Sequence, residues 1–355
     1  MKHTDGAFQS RWTGIDALRG LAVLLMLSQH IAYWISGDWH TMPLRVIGGL
    51  GGLAAPIFVL LAGVGATLVT HRHPGSDRLL VGRGCLVLGF GYLLNLLTPS
   101  WFTMQSWYVL HMIGFGLMTT PLLRRIPNRA LLVLLAGTVL ATALIQHHLE
   151  TPFYLYNRQM SATQLPGGWL RLALAEGFFP VFPWIAYFIA GLLSGRWLLR
   201  DTLVPLWSLA ATLFILAVVL SSVYLSGVAF AGNHPWVRFF KPIPTFYPSL
   251  TPITLFLITV ALFFTAACTS PRWRNALGST NVLVCLGRCS LSLLIVHVAT
   301  LRELSVYLGL FRSLPVIATL FITSALIVLF IAAALWWRKI QFKYGAEWIL
   351  RKAFP

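Results

Sequence analysis

Apolar runs of about twenty residues, separated by short polar connectors, recur from one end of this chain to the other. A membrane-crossing helix needs about 20 mostly apolar residues. On that basis the sequence predicts ten spans, at roughly 15–35, 45–70, 79–98, 101–123, 129–146, 176–199, 203–226, 249–268, 280–300 and 313–337. Charge is too scarce for a solvated surface. Only 10% of the 355 residues are charged, 57% are hydrophobic and the mean hydropathy is +0.77, whereas soluble chains carry about 25% charged residues. The expected fold is all-α: a polytopic membrane helix bundle forming one integral-membrane domain over residues 1–355. A cytosolic enzyme, a secreted domain and a disordered scaffold are excluded. The first apolar run is long and has no small-residue cleavage site, so no cleaved leader is expected.

The connectors fall into two sets. His71–Arg78, Arg124–Arg129, Arg196–Asp201 and Pro271–Asn275 are short and basic, whereas 147–175 and 227–248 are longer, less basic and richer in Pro, Gly and aromatics. Placing both termini in the cytoplasm puts 18 of the 26 Lys and Arg residues inside and 7 outside, with Arg288 within a span. Cytoplasmic loops of membrane proteins carry that excess. It also accounts for the net charge of +17 without nucleic acid, which is not expected as a partner. Cys85, Cys268, Cys285 and Cys289 lie in or beside apolar runs with no metal-binding or disulfide spacing, and no metal is expected.

Charged and polar residues inside spans are costly and mark functional sites by default. The first span carries Asp16, Arg19 and His30. Eleven positions separate Arg19 from His30, which on a helix places them within about 20° of one face and about 16 Å apart along the axis. Asp16 lies one turn from Arg19 and can pair with it. The bland reading makes that pair a helix-end anchor. Asn95, His111, Arg288, Ser290 and His297 lie in later spans, and Phe179–Trp184 joins two prolines to three aromatics where a kinked helix can line a cavity. Together they predict a polar tunnel through the bundle, with Trp184 in its wall. His40 sits in an outer connector, where a histidine is ordinarily just solvated. Tyr154, Tyr156, Trp169, Trp236 and Phe246 could stack on sugar faces but equally suit an interfacial aromatic belt. Gly48–Gly65 is dense in glycine, which favours close helix packing and permits a homodimer.

The stretch Arg11-Trp12-Thr13-Gly14-Ile15-Asp16-Ala17-Leu18-Arg19-Gly20-Leu21-Ala22-Val23-Leu24-Leu25-Met26 resembles the opening signature of the transmembrane acyltransferases. It is most similar to bacterial relatives of heparan-α-glucosaminide N-acetyltransferase. The spacing Arg19-x10-His30 also resembles the arginine–histidine signature of the acyltransferase-3 group. Pro56–Gly63, Pro180–Trp184 and Leu286–His297 add weaker matches in family order.

The resemblance implies an enzyme of the bacterial cytoplasmic (inner) membrane. It would be an O- or N-acyltransferase moving an acyl group, acetyl above all, from cytoplasmic acyl-CoA to an extracytoplasmic saccharide or other small acceptor. It also implies that Arg19 is the donor-side arginine and His30 the catalytic histidine. In the lysosomal branch the catalytic histidine lies about ten residues later, close to His40, so the two branches point to different histidines. Deprotonating an acceptor hydroxyl or amine suits an imidazole near neutral pH. The phosphates of CoA call for arginines, and Arg72, Arg78, Arg83, Arg124 and Arg125 lie along the inner rim, although each also serves as a topology marker. The rival function is a proton-coupled transporter or flippase using Asp16, Arg19 and His297 as a relay. Such a protein would show repeated halves with interrupted helices in matching positions, and the sequence shows none.

Overall fold

A computed structural model describes residues 12–73, 75–155, 167–227 and 235–354. Arg11, Tyr156 and the middle of both long connectors lie outside these residues. All the regular elements described are helical. In chain order they are α1 (Thr13–Ile35), α2 (Met42–Gly51), α3 (Ala54–Arg72), α4 (Asp77–Leu97), α5 (Val109–Leu123), α6 (Asn128–His148) and α7 (Gly168–Arg171). There follow α8 (Val181–Leu198), α9 (Val204–Leu225), α10 (Pro235–Phe240), α11 (Thr251–Thr269) and α12 (Pro271–Ala276). The last are α13 (Val282–Arg288), α14 (Ser290–His297), α15 (Glu303–Tyr307), α16 (Val316–Lys339) and α17 (Ala346–Ala353). Two π-helical turns, Leu172–Glu176 and Val298–Arg302, follow α7 and α14. Among the described residues nine helical stretches are long and apolar enough to cross a membrane, with α5 as a shorter apolar helix. The protein is an all-α, multi-pass membrane bundle.

Where the helices depart from the apolar runs, local chemistry explains the difference. Residues 98 and 101–108, expected in spans, are not helical. Pro99 disfavours helix at the residue before it, and the Thr98 hydroxyl bonds back to the Leu94 carbonyl at 2.6 Å, closing α4. Helix α5 then restarts with Tyr108 N–H donating to His111 Nδ1 at 3.3 Å. The second apolar run is broken after Gly51, between α2 and α3. The ninth is broken at Cys289, between α13 and α14. The sixth turns into α8 only at Val181, because the preceding residues form a π turn and Phe182 keeps non-helical angles between its two prolines.

The centre of the bundle is α8, which buries 89% of its span against 11% for the peripheral α16. Hydrophobicity alone does not separate them, since both are apolar. Small residues do: Ala186, Ala190, Gly191, Ser194 and Gly195 let neighbours approach α8, the packing rule inside lipid.

The same rule sets the crossing of α1 and α13. A Cβ on Gly287 would lie 1.8 Å from the Asp16 carbonyl oxygen, and one on Gly20 would lie 1.9 Å from that of Leu283. Backbone therefore meets backbone where Asp16 must face Arg288. Gly287→Val is expected to push the helices apart and cost at least the roughly 1–3 kcal/mol typical of overpacking. Gly89→Ala, on an open face of α4, is expected to leave the thermal midpoint in detergent unchanged or slightly raised. Equal midpoints for Gly287→Val and the parent would contradict this account of the crossing.

Candidate active site

Two cavities lie back to back along α1. The first, about 450 Å³, is lined by Asp16 and Arg19 with Arg72, Arg83, Arg288, Ser290 and Arg351. The second, about 140 Å³, is lined by Gln29 and His30 from the far end of α1 and by a wall of aromatic rings, among them Trp101, Phe102, Tyr108, Phe178 and Phe246. Phe58 and Leu294 line both, so the basic cavity and the aromatic one share a wall at these side chains. The helical stripe from Arg19 to His30 thus runs past a partition.

In the basic cavity Asp16 is nearly buried and faces two guanidinium groups. Arg19 Nη1 lies 3.6 Å from Oδ1 and Arg288 Nε 3.7 Å from Oδ2. Arg19 also donates to the Leu61 carbonyl at 3.3 Å, which fixes its fork between α1 and α3. A buried carboxylate needs such partners, because stripping its water is otherwise costly.

In the aromatic cavity the hydrogen bonds of two imidazoles determine their tautomers. His297 Nδ1 lies 2.8 Å from the Leu293 carbonyl, which can only accept, so the proton sits on Nδ1. In a neutral ring Nε2 is then an acceptor. It lies 3.0 Å from His30 Nδ1, which must donate. His30 Nε2 is left with a lone pair, and half-buried His30 borders the cavity. Trp34 packs against both rings at 5.3 and 5.8 Å between centroids, and Trp101 meets His30 edge-on at 5.6 Å. Ser100, the residue before Trp101, is held where the π turn after His297 passes into α15. Glu303 accepts from Ser100 N–H at 3.2 Å and its hydroxyl at 2.6 Å, and Arg302 donates to the Ser100 carbonyl at 3.0 Å. π turns of this kind are frequent at functional sites.

The residues singled out in the sequence divide accordingly. Asp16, Arg19, Arg72, Arg83, Arg288 and Ser290 gather at the basic cavity, and His30 meets His297. His40 is exposed in the loop after α1, its N–H bonded to Asp38 Oδ1 at 2.9 Å, and it does not line the cavity of His30. Arg124 and Arg125 pair with Asp77 at 2.8 and 3.3 Å and border a separate surface recess with Thr67 and Arg196. Arg78 is exposed. Asn95 is buried, its amide holding the Ser106 carbonyl at 3.0 Å. His111 accepts the Tyr108 N–H at the start of α5, and Trp184 is sealed in the core, stacked on Tyr187 at 4.7 Å. These three do not line either cavity.

Several lining residues were not singled out in the sequence. Gln29, Tyr108 and Trp101 stand beside residues that were, and only the fold separates them from ordinary span residues. Arg351 and Glu347, from the C-terminal helix, carried no sequence signal. Phe246 lines the aromatic cavity with its neighbour Tyr247, whereas Tyr154, Trp169 and Trp236 are exposed. Among the described residues no group of three or more His, Cys, Asp or Glu side chains is placed to hold a metal ion.

Comparison with known proteins agrees with the opening signature. No curated protein matches the chain. The family described as heparan-alpha-glucosaminide N-acetyltransferase, catalytic, matches residues 11–226, more than half of the sequence and the part that supplies α1 through α9. With Arg19 and His30 on the first helix of that region, at the two cavities just described, the chain belongs to the heparan-α-glucosaminide N-acetyltransferase catalytic family.

Proposed function

We propose that this protein transfers an acetyl group from acetyl-CoA, bound at the basic cavity, to a hydroxyl or amine of a saccharide acceptor bound at the aromatic one. The observation that carries this reading is the shared wall of Phe58 and Leu294. A thioester threaded past it from the arginines would arrive beside His30, while the acceptor would meet it from the other side. The loop charges support placing the basic cavity at the cytoplasmic face of a bacterial inner membrane, with both termini inside. The family's described activity supports the acetyl group and the glycan acceptor.

The chemistry follows from the tautomers. As the acceptor oxygen or nitrogen attacks the thioester carbonyl, His30 Nε2 takes its proton, and His297 stabilises the resulting imidazolium through the Nδ1 hydrogen bond. Collapse of the tetrahedral intermediate breaks the C–S bond. The proton then passes from His30 to the departing thiolate, giving the acetylated acceptor and free CoA. Aromatic faces opposite His30 suit the apolar face of a sugar ring, and Gln29 adds a polar group to that wall.

The test is transfer of radiolabelled acetyl from acetyl-CoA to a panel of mono- and disaccharides by the purified protein in vesicles. Arg19→Lys keeps the charge but loses the planar fork that reaches both Asp16 and Leu61, and arginine and lysine are not interchangeable at such sites. It is expected to raise the apparent KM for acetyl-CoA while leaving the KM for the acceptor unchanged. An unaltered donor KM would make Arg19 a structural partner of Asp16 only. Proton-coupled uptake of a saccharide without label transfer would establish the transporter reading instead.

A further inference from the structure

The family match ends at residue 226, yet the basic cavity is completed by chain far beyond it. Helix α17 contributes Leu350 and Arg351 to the lining. Both ends of this segment are tied to the bundle. At its start, Glu347 Oε1 accepts the N–H groups of Leu291 and Ser292 at 2.6 and 3.2 Å, and Ala346 N–H donates to Ser292 Oγ at 2.8 Å. A carboxylate there satisfies otherwise unpaired donors of the first turn of α14. At its end, Arg83 donates to the Phe354 carbonyl at 2.8 Å. The segment is thus held between α14, which carries His297, and α4.

The charges in this cavity do not balance. Among the described lining residues, five are arginines and two are carboxylates. Asp16 lies between Arg19 and Arg288, and Glu347 is engaged by the start of α14. No lining carboxylate is left for Arg72, Arg83 and Arg351 among the described residues, although all three line the same cavity. Unbalanced guanidinium groups around one concavity call for a polyvalent anion, and planar forks match phosphate oxygens.

We propose that α17 is part of the donor site, with Arg351 joining Arg72 and Arg83 to hold the phosphate groups of the donor's nucleotide end at the mouth of the basic cavity. This rests on the acyl-CoA reading, and the experiment separates the two. Purified protein in neutral detergent is titrated calorimetrically with unacylated CoA, and separately with inorganic pyrophosphate, so that turnover is not needed. Arg351→Ala is expected to weaken CoA binding about tenfold or more, as loss of a charge-assisted contact does, with Arg351→Lys falling between it and the parent. Because the Arg351 side chain is exposed, the ligand-free thermal midpoint of both variants should match the parent. Equal CoA affinity in the parent and Arg351→Ala overturns the proposal. If the parent ignores CoA but binds pyrophosphate in an Arg351-dependent way, the phosphate site stands and the acyl-CoA reading falls. If neither ligand binds, and only vesicles containing anionic phospholipid raise the midpoint, the arginines serve lipid headgroups and the donor assignment is wrong.

Discussion

Replacing His30 by alanine is expected to lower turnover by roughly two to four orders of magnitude, the range that a positioned general base contributes, while the protein still inserts and keeps its thermal midpoint. The expectation rests on the hydrogen-bond chain Leu293 carbonyl, His297, His30, which leaves the His30 Nε2 lone pair at the cavity. His297→Leu removes the acceptor for His30 Nδ1–H and frees the tautomer, so it should lose activity by a smaller factor. His297→Gln, whose amide oxygen can accept the same bond, should recover part of the loss. His40→Ala should turn over almost normally, since His40 is exposed and its backbone N–H bonds to Asp38 away from the cavity of His30. A normal His30→Ala protein beside a dead His40→Ala protein would move the base to His40. Normal turnover in both would remove histidine from the mechanism.

The second expected result is all-or-none. In sealed vesicles of known orientation, acetyl-CoA should support transfer only from the face bearing Arg72, Arg83 and Arg351, and the acceptor only from the face bearing Trp101 and Phe246. The donor should stay on one side because its phosphates would meet arginines there and none along the aromatic cavity, whose described lining carries no charged side chain apart from what His30 can acquire. Carrying those phosphates past Phe58 and Leu294 would mean taking several charges into a low-dielectric wall. The same wall should hold the acceptor to the other side. On the loop charges, the donor face is expected to be the cytoplasmic one. Activity with both substrates added to the cytoplasmic face alone would end the cross-membrane scheme, even with the acyltransferase chemistry intact.

How much of this was legible in the sequence depended on the range of the interaction. Asp16 and Arg19 are three residues apart on one helix, so their pairing follows from helix geometry alone. Arg288 joining them does not, because it depends on Gly20 and Gly287 letting α1 and α13 touch backbone to backbone. The break at Phe182 was foreshadowed by its two prolines. The break at Cys289 had no such marker, and its new helix start relies on Glu347, more than fifty positions later. His111 and Asn95 show the opposite outcome. Both are polar residues in spans, and both are absorbed by backbone groups around the loop before α5, a use that intramembrane polarity alone does not distinguish from a tunnel lining.

The positions of the apolar spans and the spacing of Arg19 from His30 were set by terms that add along the chain: transfer of apolar side chains into lipid and 1.5 Å of rise per residue. Any window of the chain reports them without knowledge of the rest. The working parts of the site were decided only by tertiary packing. His30 and His297 are 267 residues apart, the partition of Phe58 and Leu294 comes from α3 and α14, and Arg351 reaches the basic cavity from the last helix. Lipid makes every apolar face equally content, so hydropathy could not choose among helix pairings. Small residues at the crossings and buried hydrogen bonds made that choice, and with it they placed His30 at the aromatic cavity with His297 bonded to it.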